Sequence, residues 1–220
     1  MRVQNVIFDL DGTLVDSAWG IEYSITRALA QCGYPTTDND VESLIGPPVR
    51  QILSRLSAQT QPEALDRLES AFRESYDTKG WEKTLLRAHT TSTLKWLLSS
   101  GRQAFLFTNK PSVPTKRILE LFDIRHFFAD VVCRDSAPAS FRSKADMIRS
   151  LTVFHNLAAC RSLVVGDTSE DVHAAMESGM KAAVVPGYGP QPSDDTPHSF
   201  FRLNSLSDVA TIIAHCEEAP

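Results

Sequence analysis

The segment 3–10 is an apolar run of strand length that carries Asp9 near its end and closes on Asp11-Gly12. Such a run, stopped by a turn signal, predicts a strand buried on both faces. A strand of that kind needs neighbours on both edges and helices on both sides. The rest of the chain offers them. Strand-like runs at 103–108, 130–133, 162–165 and 181–185 alternate with amphipathic helical patterns at 91–100, 113–122, 144–156 and 169–178. A short strand near 200–203 and a helix near 207–215 follow. Strands separated by helices predict an α/β fold, a Rossmann-like parallel sheet flanked by helices and joined by right-handed crossovers.

One block breaks the alternation. Residues 16–81 carry helical periodicity only: Ile21, Ile25, Ala28, Leu29 and Cys32 after a cap at Asp16 or Ser17, a helix from Asp38 to Leu44, then Val49, Ile52, Leu53 and Leu56, then Leu65, Leu68, Phe72 and Tyr76 behind Pro62. This block reads as a small helical cap inserted after the first strand, so that 1–15 and 82–220 form the α/β core and 16–81 the cap. A chain of 220 residues with 42% hydrophobic residues suffices for one core with an insertion. The least ordered stretch is expected at 187–198.

Charge and composition exclude several classes. Lys and Arg number 22 against 27 Asp and Glu, a net charge of −5, which argues against a nucleic-acid polymer as partner. No apolar run approaches the roughly 18–20 residues of a membrane span. The first residues enter a strand without a leader pattern, and Cys32, Cys133, Cys160 and Cys216 are dispersed with no zinc spacing. The expectation is a cytoplasmic monomer or homodimer.

The chemistry lies where strands are expected to end. In an open parallel sheet, ligands bind beyond the carboxyl ends of the strands. Asp9 and Asp11, Thr108-Asn109, Lys144, and Gly166-Asp167 through Asp171 all fall at a strand end or a helix start. Asp9, Asp11 and Asp167 would repel one another unless a cation intervenes, and a hard divalent ion such as Mg²⁺ suits oxygen ligands. Lys144 adds a point charge and Thr108 a hydroxyl and a backbone N–H. A carboxylate beside a metal, a lysine and a hydroxyl suits an aspartyl-phosphate intermediate. Singly, these features are ordinary: Asp11-Gly12 as a turn, Lys144 as a solvated lysine, Asp171 as a first-turn acid.

Phe8-Asp9-Leu-Asp11-Gly-Thr-Leu14, Thr108 after a strand, Lys144 and Gly166-Asp167…Asp171 resemble, in order, the four motifs of the haloacid dehalogenase superfamily. The helical insert resembles that family's small cap. The resemblance implies Asp9 as nucleophile and metal ligand, and Asp11 as general acid and base whose backbone carbonyl reaches the metal. It implies Thr108 and Asn109 as phosphate-holding groups beside Gly12 and Thr13, Lys144 as the lysine steadying the charge, Asp167 as a Mg²⁺ ligand and Asp171 as its support. Ile45-Gly-Pro-Pro-Val49, Thr108-Asn-Lys-Pro111, Ser143 to Ile148 and Gly187-Tyr-Gly189 are similar to a phosphoglycolate-phosphatase-like branch. The stretch 134–142 departs from it, lacking the Lys-Pro-x-Pro often found in relatives. Arg50, after Gly46-Pro47-Pro48, is the candidate for holding a substrate tail. The expected function is a Mg²⁺-dependent phosphatase for a small phosphomonoester. The alternatives are a nucleoside monophosphate phosphatase, a sugar phosphomutase or a catalytically degenerate binding module. The acid at Asp11 speaks against a dehalogenase.

Overall fold

A computed structural model of the chain describes residues 2–35, 41–188, 192–193 and 200–218. The chain enters through strand β1 (Asn5–Phe8) and turns into β2 (Val15–Asp16). It then runs through helices α1 (Ala18–Gln31), α2 (Val49–Ser57) and α3 (Pro62–Ser75), and returns through β3 (Leu85–Leu86). From there α4 (Thr90–Ser99), β4 (Gln103–Thr108), α5 (Ser112–Leu121), β5 (Phe128–Cys133), α6 (Lys144–His155), β6 (Ser162–Gly166), α7 (Ser169–Glu177), β7 (Lys181–Val184), β8 (Phe201–Arg202) and α8 (Val209–Glu218) follow.

Six strands form one parallel sheet in the order β5-β4-β1-β6-β7-β8. The chain builds outward from β1 on one side, then crosses back to build the other. Strand β1 is therefore the switch point, where the two crossovers diverge and leave a crevice at the carboxyl edge. Alternation along the strands divides the core. Val6, Phe8, Leu106, Leu163 and Val165 pack on one face with Leu97 of α4, Ile118 of α5 and Ile213 of α8. Ile7, Phe105, Phe107 and Val164 pack on the other with Ile148 of α6 and Val172 of α7. Period-two side-chain direction requires this division once both faces are covered.

The helical block has an apolar cluster of its own, with Ile25, Leu29, Leu53, Leu68 and Phe72 at its centre. Strands β2 and β3 pair antiparallel, Val15 with Leu86 and Asp16 with Leu85, at the two ends of the block. A ladder of two residues leaves no periodic trace in a sequence, and it was not anticipated. Neither was the single π turn over Tyr76–Gly80 that extends α3. Gly20 of α1 lies against that turn so closely that a Cβ would meet the Gly80 carbonyl oxygen at 2.1 Å. Tyr188, from the loop after β7, inserts into the block's cluster; its hydroxyl accepts from the Ser17 N–H at 2.8 Å and donates to the Val15 carbonyl at 3.2 Å.

Some expected details differ. The first strand is shorter than 3–10, because the chain bends at Asp9 and closes a turn on Leu10, whose carbonyl accepts from Leu14 and Val15 at 2.9 and 3.0 Å. The expected helix from Asp38 to Leu44 begins outside the described residues, and Glu42–Leu44 is one 3₁₀ turn. The Asp16 carboxylate accepts from the Ala18 N–H at 3.1 Å, whereas the Ser17 hydroxyl turns away from the helix. Most of 187–198 lies outside the described residues. Among those described, no helix is long and apolar enough to cross a membrane.

Phe105 is fully buried on β4, between β1 and α6. Phe105→Ala is expected to cost about 3–5 kcal/mol through lost burial and a residual cavity. A lowered urea midpoint at unchanged slope checks this; a loss under about 1 kcal/mol would contradict the packing described.

Candidate active site

Asp9 is the first residue beyond β1. Its N–H continues the ladder by donating to the Val165 carbonyl at 2.9 Å, and its carboxyl is 4% exposed at the sheet's carboxyl edge. The chain then turns tightly, with the Gly12 N–H donating to the Val15 carbonyl at 2.9 Å. Gly12 adopts φ +79°, and a Cβ there would lie 2.1 Å from Asp167 Oδ2. Only glycine satisfies both demands at once. The turn thus packs onto Asp167, whose carboxylate accepts from the Thr13 hydroxyl at 3.4 Å and the Tyr188 N–H at 3.1 Å. Arg87, just past β3, donates to the carbonyls of both Gly12 and Pro186 and ties the two loops together.

Lys144 opens α6 behind Ser143, whose hydroxyl caps the helix by accepting from the Asp146 N–H at 3.1 Å. Its Nζ lies 3.1 Å from Asp9 Oδ1 and 2.7 Å from Asp171 Oδ1, with the side chain 2% exposed. The other Asp171 oxygen accepts from the N–H groups of Asp167 and Thr168 and from the Thr168 hydroxyl, at 3.2, 3.0 and 2.8 Å. Asp171 therefore caps α7 with one oxygen and holds Lys144 with the other. Thr108, buried at the end of β4, accepts from the Lys110 N–H at 3.1 Å.

The electrostatics follow from these contacts. Asp9, Asp167 and Asp171 have carboxylate oxygens within 4.8 Å of one another, and Lys144 is the ammonium among them. Fully ionised, three carboxylates against one ammonium leave two negative charges in a buried pocket. Burial pushes the Asp9 carboxyl up to about 8, against the pull of Lys144 and with the help of Asp171 and Asp11. Burial, and then the charges of Asp171 and Asp9, hold Asp167 well above the usual carboxylate range. Burial by itself would lower Lys144, but Asp171, Asp9 and Glu170 outweigh it and hold the ammonium above its ordinary value. A divalent cation matches the excess charge, and oxygen donors suit a hard ion. With both Asp171 oxygens engaged, such an ion would draw its carboxylate oxygens from Asp9 and Asp167.

The Asp11 side chain lies outside this cluster. It accepts from the Ser17 hydroxyl at 2.5 Å and pairs with Lys110 Nζ at 3.2 Å. Lys110 is buried and also donates to the Tyr76 hydroxyl at 2.8 Å, reaching the helical block. Burial would lower its pKa, and Asp11 and Tyr76 together raise it instead. The sequence sets Lys110 in a polar cluster with Thr108 and Asn109 but gives it no role. The available signal was its place two residues beyond Thr108, in the turn that follows β4. The Asn109 amide donates to the Gly46 carbonyl at 3.2 Å and to Glu170 at 3.0 Å, while its oxygen accepts from Arg134 at 3.1 Å. Both partners on the nitrogen side are acceptors, which fixes the amide's orientation.

Asp9, Asp11, Thr108, Asn109 and Lys144 line one cavity of about 290 Å³ between the sheet edge and the helical block. Arg50 lines it too, but its guanidinium is bound to Asp66 at 2.6 Å, Glu69 at 3.2 Å and the Pro62 carbonyl at 3.2 Å. His173 is exposed and away from this cavity's lining.

The family model for haloacid dehalogenase-like hydrolases matches residues 6–185. A tyrosine-protein kinase PtkA of Mycobacterium tuberculosis is 35% identical over 194 residues, which cover 84% of this chain and 63% of that protein. The chain thus spans less than two thirds of that relative. A phosphoglycolate phosphatase of Vibrio cholerae is 31% identical over 80% of this chain and 81% of its own length. A 5'-nucleotidase of Pseudomonas aeruginosa is 30% identical over 86% and 85%. In three dimensions, a haloacid dehalogenase-like family hydrolase from Streptococcus pneumoniae superposes with a TM-score of 0.85 at 25% identity, covering 96% of this chain and 98% of that one. The chain belongs to the haloacid dehalogenase-like hydrolase family.

Proposed function

We propose that this chain is a Mg²⁺-dependent phosphatase that hydrolyses a small organic phosphomonoester through an aspartyl-phosphate on Asp9. The observation that carries the reading is the setting of Asp9: a buried carboxyl at the switch-point strand end, 3.1 Å from Lys144 Nζ, in the wall of a ligand-sized cavity. The names of the Vibrio and Pseudomonas relatives fall in the same reaction class.

Bound Mg²⁺, held by the carboxylates of Asp9 and Asp167 and by the Asp11 backbone carbonyl, would neutralise the excess charge and that of the phosphoryl group. The chain's own residues do the rest. An Asp9 carboxylate oxygen attacks phosphorus, the ester P–O bond breaks, and the leaving oxygen takes a proton from the Asp11 carboxyl group. Water then attacks the same phosphorus, Asp11 takes its proton, and the P–O bond to Asp9 breaks to release phosphate. Thr108 and the Asn109 N–H hold phosphoryl oxygens, and Lys144 balances charge on Asp9 as it reacts. Lys110 and Ser17 position the Asp11 carboxyl group. The helical block acts as a cap that excludes bulk water during the first transfer.

Asp9→Asn keeps size and removes the nucleophile. Phosphate release from a panel of phosphomonoesters is expected to fall by about a thousandfold or more with the fold intact. Turnover within about tenfold of wild type would rule out the covalent route.

The raised Asp9 pKa makes a second prediction. Its folded value of about 8 lies above the ordinary 3.8, so between those pH values this carboxyl holds more proton in the metal-free folded chain than in the unfolded one. Stability in chelator should therefore fall as pH rises through that window, and Mg²⁺ should restore it most near the upper end. Melting midpoints across this range, with chelator and with Mg²⁺, provide the check. A flat chelator profile, or no rise with Mg²⁺ at the alkaline end, would contradict the buried-charge account.

A further inference from the structure

The cavity is lined by five cationic side chains: Arg50, Arg73, Lys110, Arg134 and Lys144. Four are neutralised by carboxylates. Arg50 is bound to Asp66 and Glu69, Arg73 to Glu69 at 2.7 Å, Lys110 to Asp11, and Lys144 to Asp9 and Asp171. Among the described residues, Arg134 has no carboxylate partner, and its Nη1 donates to a neutral amide oxygen on Asn109 at 3.1 Å.

Its position is built. Arg134 is the first residue past β5, on the same sheet edge that delivers Asp9, Thr108 and Asp167. Its backbone N–H donates to the Lys110 carbonyl at 3.4 Å, and its carbonyl accepts from the Phe141 N–H at 2.9 Å, so the loop 134–141 is closed on itself. Asn109, which receives the guanidinium, directly follows Thr108, and consecutive Cα atoms are about 3.8 Å apart. The charge thus sits a short span from the phosphoryl pocket. It also opens the stretch where the sequence departs from the Lys-Pro-x-Pro of related chains. Across the cavity, Ile21, Ile45, Val49, Ile52 and Phe72 of the helical block offer apolar surface; of the charged residues there, Arg50, Glu69 and Arg73 are paired with one another, and Asp77 also lines the wall.

We propose that Arg134 is a specificity residue that holds a carboxylate on the leaving group of a short phosphomonoester, a proposal that rests on the phosphatase reading above. A guanidinium has five N–H donors in a planar fork. With one donor on Asn109, the others remain to bind a carboxylate by two parallel hydrogen bonds. A bulky neutral leaving group would leave that charge unused.

The test compares 2-phosphoglycolate with ethyl phosphate, which has a neutral tail of similar length, and uses p-nitrophenyl phosphate to report phosphatase chemistry. Wild type is expected to prefer phosphoglycolate. Arg134→Ala should lower the ratio of kcat/KM for phosphoglycolate to that for ethyl phosphate by about ten- to a hundredfold, mostly through KM. Arg134→Gln retains hydrogen bonding to Asn109 without charge and should lose the ratio equally, whereas a purely structural role would be rescued by Gln. Equal losses on both substrates, rescue by Gln, or a wild-type enzyme indifferent to the carboxylate would each overturn the proposal. A wild-type chain that releases phosphate from none of the three substrates would overturn the phosphatase reading itself.

Discussion

Three buried carboxylates gathered around one lysine at the end of a central strand are unstable without help. Most of the local architecture supplies that help. Burial, with the neighbouring carboxylates, drives protons onto Asp9 and Asp167, and Lys144 offsets only part of the excess. Folding such a cluster requires rigid surroundings, because a half-satisfied buried network costs more than an apolar one. Asp171 provides rigidity on one side by spending one oxygen on three donors around Thr168 and the other on Lys144. The two charges left over when the cluster is fully ionised match those of a divalent ion, and the three carboxylates lie close enough together to hold one.

The sheet makes this cluster possible. With β1 at the point where the crossovers diverge, β4 and β6 flank it directly and their carboxyl ends emerge beside Asp9. The alternating apolar residues below are fully enclosed on both faces and hold those ends in register. At the surface of the crevice, the turn through Gly12 can approach Asp167 only because no side chain intervenes. Core packing and reactive geometry are thus one construction.

Much of this was legible in the sequence. Strand ends marked by apolar runs and turn residues placed Asp9, Thr108 and Asp167 on one rim, and the helix start after Ser143 placed Lys144. What escaped had no periodic mark. The two-residue ladder of β2 and β3 is too short to alternate, and the π turn at Tyr76–Gly80 continues a helical pattern without a break. The roles of cations escaped for another reason. Whether an arginine near a pocket has charge to offer depends on partners distant in sequence. Arg50 meets Asp66 and Glu69, which lie 16 and 19 positions on, and Lys110 meets Asp11 and Tyr76 across the crevice. Spacing within a motif does not encode those meetings.

Tyr188 joins two regions that otherwise belong to different clusters. Its backbone N–H is on Asp167, while its hydroxyl engages Ser17 and Val15 where the chain leaves the sheet for α1. One residue thus acts as a strut between a carboxylate of the charged cluster and the pivot of the helical block. The amide that meets a carboxylate of the charged cluster and the hydroxyl that meets the start of α1 thus belong to one residue, so the spacing between the crevice and the root of the helical block is set by the length of a single tyrosine.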